Sequence, residues 1–93
     1  MKSLIDSERE ELRHVVLETL AVRHPSALPV RSIARHVKTA MGFEVSPDDI
    51  TAALVLLSGL APSLVIATPD ELGSSTYWAA TSQGVLYYER KEK

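Results

Sequence analysis

The chain has no cysteine, which removes disulfide staples and thiolate metal sites at once. Long hydrophobic runs are missing too. Nothing approaches the roughly 18 apolar residues a membrane-spanning helix needs, so no membrane association is expected. The amino-terminal stretch Met1-Lys2-Ser3-Leu4-Ile5-Asp6 becomes charged within a few residues and has no apolar signal region. A cytoplasmic location is the expectation. Neither sign of charge dominates: Lys and Arg number 10, Asp and Glu 12, for a net charge of −2. That balance neither supports nor excludes nucleic acid, because the placement of the cations decides. Glycine-rich phosphate cradles and nucleophile elbows are absent. His14, His24 and His36 never fall at four-residue spacing on one helix, so there is no local metal motif. The neighbouring carboxylates Asp48 and Asp49 would point about 100° apart on a helix, and capping accounts for them better than paired acid–base chemistry. No enzymatic activity, cofactor or metal is expected.

What is present reads as one small soluble domain spanning residues 1–93, with its core between 7 and 90. The length of 93 residues, 45% apolar and 24% charged, suits a single modest core. Ser7-x-x-Glu10 has the form of a capping box opening a first helix. Leu12, Val15, Val16, Thr19 and Leu20 recur behind it at helical spacing, and Pro25 stops it near Arg23. Pro29-Val30 leads from a short extended segment into a second helix with Ile33, Ala34, Val37 and Met41 on its apolar stripe and Gly42 as a left-handed stop. Ser46, Pro47, Asp48 and Asp49 form a strong start for a third helix, which runs to about Leu57. Leu64–Thr68 reads as a buried strand and Thr76–Ala80 as its partner. The turn-rich Pro69–Ser75 lies between them, with room for one helical turn after Thr68. Thr81 then caps a last helix from Ser82 to about Arg90, whose end carries Arg90, Lys91 and Lys93.

This order of helix, short strand, helix, helix, hairpin and helix resembles the winged-helix group of helix-turn-helix proteins, above all small bacterial and archaeal regulators. Two short motifs carry the likeness. One is Thr81-Ser82-Gln83-Gly84, a Thr-x-x-Gly helix start directly after the second hairpin strand. The other is Leu28-Pro29-Val30-Arg31-Ser32-Ile33-Ala34, leading into helix two. The likeness spans Ser7 to about Glu89. It implies an α+β fold: a single winged-helix domain with a three-helix core, a β-hairpin wing and a C-terminal helix. It further implies a DNA-binding regulator with helix three in the major groove and the wing on the phosphates.

The residues themselves qualify that implication. At about 100° per residue, Ile50, Ala53, Leu54 and Leu57 of helix three face the core. The opposite arc holds Asp48, Asp49, Ala52, Val55, Leu56 and Gly59, with Thr51 and Ser58 on its flank. Base readers use Arg, Lys, Asn, Gln, Ser or Thr, and this arc has none. Its carboxylates would repel phosphate, and the wing's only charges are Asp70 and Glu71. The cations gather instead on helix two, where Arg31, Arg35 and Lys38 share one stripe, with Arg23 and His24 as candidates to extend it. Such a stripe is either a phosphate track, giving sequence-indifferent binding, or the solvated face of an amphipathic helix.

Ala52, Val55 and Leu56 form an apolar patch where a helix face should be wet, which suits a protein partner. Val85, Leu86, Tyr87 and Tyr88 point in every direction around the last helix, more than one small core covers, which suits a homodimer. The alternative is that Leu56 packs under the wing while Tyr87 or Tyr88 extends its hydroxyl to water. Trp78 reads as hairpin core rather than a base-stacking platform. Two functions therefore stand side by side: a DNA-associated regulator gripping the backbone as a dimer, and a protein-interaction module using helix three.

Overall fold

Local signals place most of the helix ends. The computed structural model describes residues 4–69 and 76–91. Over these it shows α1 (Asp6–Val22), β1 (Leu28–Pro29), α2 (Val30–Met41), α3 (Pro47–Ser58), β2 (Val65–Pro69), β3 (Thr76–Ala80) and α4 (Ser82–Lys91). Ser46 caps α3, its hydroxyl accepting the Asp49 amide at 3.2 Å, with Pro47 at the first helical position. Gly42 ends α2 in the left-handed region, at φ 81°, where a Cβ would be strained. Thr81 caps α4 by accepting the Gly84 amide at 3.0 Å, and its own hydroxyl donates to the Ser63 carbonyl at 2.7 Å.

Two expectations need correction. The first helix opens one residue before Ser7: Ile5 stands at its cap position, and its amide donates to the Glu8 carboxylate at 3.1 Å. Glu8 rather than Glu10 makes the reach-back bond, because the longer helix brings Leu4 into the core at 7% exposure. The second correction concerns β2. Only Val65 of this strand is buried, and Ile66 is 54% exposed. A two-stranded wing has one neighbouring layer, and the helices cover only its base. The turn proposed between the strands falls on residues 70–75, outside the described ones, and Pro69 belongs to β2.

The sheet runs in the order β1-β3-β2, antiparallel throughout. Leu28 pairs with Trp78 and Pro29 with Tyr77 on one side of β3; Val65 pairs with Ala80 and Ala67 with Trp78 on the other. Helix α1 is the central element and packs against α2, α3, α4 and β3. Its buried residues therefore exceed one stripe: Leu17 and Ala21 join Leu12, Val15, Val16, Thr19 and Leu20. The buried Thr19 hydroxyl is satisfied by the Val15 carbonyl at 2.8 Å. Ile33 and Val37 of α2, Ile50, Leu54 and Leu57 of α3, and Val65, Trp78 and Ala80 of the sheet complete the core. Trp78 is thus hairpin core, as its apolar strand context indicates.

No described helix is long and apolar enough to cross a membrane, and no group of metal-ligating side chains gathers among the described residues.

Candidate nucleic-acid interface

Helix α2 lies across the molecule with Ile33 and Val37 inward, so Arg31, Arg35 and Lys38 all project into solvent. The two neighbouring residues considered for this stripe, Arg23 and His24, are used elsewhere. Arg23 turns back to donate to the Thr19 carbonyl at 3.0 Å, and its other terminal nitrogen lies 3.5 Å from His36 Nδ1. His24 Nδ1 sits 2.9 Å from the Ala80 carbonyl, which can only accept, so this nitrogen carries the proton. Both side chains brace the end of α1, against α2 and β3 respectively. The stripe stays at three.

Helix α3 buries Ile50, Ala53, Leu54 and Leu57 and exposes Asp48, Thr51, Ala52, Val55 and Leu56. Its apolar outer residues divide between two directions. Ala52 and Leu56 line a groove of about 370 Å³ against α1, together with Leu4, Leu12, Arg9, Arg13 and Asp49. Leu56 therefore faces α1 rather than packing under the wing. Val55, 55% exposed, does not line that groove. A second groove, of about 520 Å³, continues from Leu56 past Leu17 and Leu60 to Tyr87 and Lys91. Its rim mixes Glu10 and Glu11 with Arg13 and His14.

Helix α4 resolves the crowded C-terminal run. Val85 and Tyr88 turn inward against the core, and the Tyr88 hydroxyl donates to Glu18 of α1 at 2.9 Å. Leu86 and Tyr87 turn outward, 44% and 42% exposed, and the Lys91 ammonium lies 5.6 Å from the centre of the Tyr87 ring.

The sequence did not single out a third groove, of about 470 Å³, where α2, α3 and β3 meet. Pro29, Val30, Arg31, Thr51, Thr76, Tyr77 and Trp78 line it. Strand alternation gives one trace of it, since Tyr77 points away from the face Trp78 buries. Thr51 and Tyr77 are too distant in sequence for any local pattern to join them.

No family model matches the chain, and no curated protein matches it by sequence. Solved structures do. A transcriptional regulator from Clostridium thermocellum superposes with a TM-score of 0.73 at 16% identity, over 97% of this chain and 84% of that one. A PadR-like transcription factor from Bacteroides fragilis gives 0.71 at 17%, over 92% and 81%. A variant of ZitR from Lactococcus lactis gives 0.68 at 19%; the match takes in 99% of this chain but only 56% of that one. The likeness at such identities is one of fold. The chain is an α+β winged-helix protein with a three-helix core, a hairpin wing and a C-terminal helix.

Proposed function

We propose that this protein is a non-enzymatic, DNA-associated transcriptional regulator of the cytoplasm. In this reading residues 1–93 form one winged-helix domain that grips duplex backbone through Arg31, Arg35 and Lys38 with little direct base readout. One observation carries it. The three cations project together from the helix that, in helix-turn-helix geometry, crosses the phosphates. The fold shared with structures of transcriptional regulators supports the same reading. The exposed α3 residues Asp48, Ala52 and Val55 offer no base-reading donor, and only Thr51 beside them could supply one.

Three phosphate contacts release about three counterions. Affinity for random duplex DNA should then fall with salt at a log–log slope of about −2 to −3. Reversing Arg31 and Arg35 to Glu should abolish binding while leaving the circular dichroism unchanged. Absence of wild-type binding at low salt overturns this reading.

The C-terminal helix supports a homodimer in which Val85, Leu86, Tyr87 and Tyr88 all belong to the contact helix, Leu86 and Tyr87 supplying the surface. Their remaining exposed area contributes about 1 kcal/mol per side chain when covered. Four side chains at a two-fold interface do not offset an association cost of about 4–15 kcal/mol. Leu56 and Leu60, in the adjoining groove, must join them.

A second reading has its own observation. Val55 and Leu56 are large apolar side chains, 55% and 46% exposed, on a helix that would otherwise meet DNA. With Ala52 they would serve as a contact for a second protein. The DNA titration separates the two, since an interaction module of this kind shows no salt-dependent DNA binding.

A further inference from the structure

The three grooves differ in charge. The one between α1 and α3 contains Asp49, and the one reaching α4 contains Glu10 and Glu11. Among the described residues, none that lines the groove at the junction of α2, α3 and β3 is a carboxylate. Its polar lining residues are Arg31, Thr51, Thr76 and Tyr77. None of these four side chains has a hydrogen-bond partner among the described residues. They come from three elements, and the pairing of Pro29 with Tyr77 holds the start of α2 beside β3. Four residues able to donate, one of them cationic, thus border one groove, with Tyr77 on the strand face opposite Thr76.

We propose that this groove seats one backbone phosphate of duplex DNA, bound by Arg31 and by the hydroxyls of Thr51 and Tyr77, with Thr76 at its rim. A phosphate suits the geometry better than a carboxylate. Its tetrahedral oxygens can accept from donors arriving from three directions, whereas a carboxylate offers two oxygens in one plane. Arg31 is also the end of the α2 cation stripe, so an occupied seat would fix where the track meets the wing. The hydroxyls then set the register of the duplex rather than its overall attraction. The seat presupposes the DNA-associated function proposed above, so its test has to fail separately from that function.

Charge and neutral donors leave different signatures. Tyr77→Phe and Thr51→Val remove a hydroxyl from a side chain that bonds nothing else described, so folding should be preserved. Each should weaken binding to random duplex DNA on the order of tenfold with the salt slope unchanged, since no counterion release is lost. Arg31→Gln should weaken binding and reduce the magnitude of the slope by about 0.9. Trp78, the single tryptophan, borders the groove. Its emission should change on adding duplex DNA to the wild type, and inorganic phosphate against chloride at equal ionic strength should leave it unchanged at millimolar levels. Wild-type binding with Tyr77→Phe and Thr51→Val indistinguishable from it would overturn the seat and leave the DNA-associated function standing. A wild type that binds no DNA overturns both. Emission that answers to free phosphate through Arg31, without DNA binding, would make the groove a small-anion site and also overturn the proposal.

Discussion

Replacing Gly84 with Ala sets two effects of opposite sign against each other. Alanine is the better helix former, by about 1 kcal/mol in a helix interior, and it restricts the unfolded chain. An exposed Gly84 would therefore be a site for stabilisation. Here it is buried at the start of α4, and a Cβ built on it would overlap the backbone carbonyl of Leu64. That carbonyl is not free to retreat: it accepts the Thr81 amide at 3.0 Å, and Thr81 is held to Ser63 through its hydroxyl at 2.7 Å. Relief requires α4 to lift away, opening these bonds and loosening the contacts of Val85 and Tyr88 with the core. Overpacking of this kind costs about 1–3 kcal/mol, and each opened hydrogen bond adds about 1 kcal/mol. The net expectation is a destabilisation of about 2–4 kcal/mol, or a Tm lower by at least about 10 °C for a domain of this size. Thermal and urea unfolding followed by circular dichroism measure it directly. Gly59→Ala is the internal comparison: φ is −85°, the nearest heavy atoms to an added Cβ lie at 3.4 and 3.6 Å, and the change should stay within about 1 kcal/mol. An unchanged or raised Tm for Gly84→Ala would refute the close approach of α4 to Leu64.

The helix caps give a graded pair. Ser46→Ala should cost about 1 kcal/mol, for one lost cap bond, whereas Thr81→Val should cost about 2 kcal/mol, because the cap and the bond to Ser63 go together; Thr81→Ser should recover most of the loss, all read from urea midpoints. For the dimer, Leu86→Asp and Tyr87→Asp should each shift sedimentation toward monomer without lowering helicity, since both side chains already face solvent. A wild type that sediments as a monomer at high micromolar concentration would remove the dimer.

Where a signal lay within a few residues of sequence, it carried through to the structure. The Ser46-Pro47 start, the Gly42 stop, the Thr81-x-x-Gly84 cap and the strand Thr76–Ala80 all stand where their local chemistry puts them. The inward faces of α2 and α3 followed from helical periodicity for the same reason. The start of α1 did not, because Ile5-x-x-Glu8 and Ser7-x-x-Glu10 compete locally and the burial of Leu4 favours the earlier one. Periodicity also cannot tell a strand buried in a two-layer core from one in a wing, which is why β2 is more exposed than its composition indicates.

The amino-acid sequence by itself determined the order and ends of most elements, the solvent-facing stripe of Arg31, Arg35 and Lys38, and the excess of apolar side chains on α4. Only the tertiary structure decided which of those α4 side chains remain outside. Docking on α1 takes Val85 and Tyr88 inward and leaves Leu86 and Tyr87 to solvent. It also turned Leu56 toward α1, and it brought Arg31, Thr51 and Tyr77 to one groove through the β1–β3 pairing. Contacts of that kind join residues far apart along the chain, and periodicity, capping and propensity act only over a few neighbouring positions.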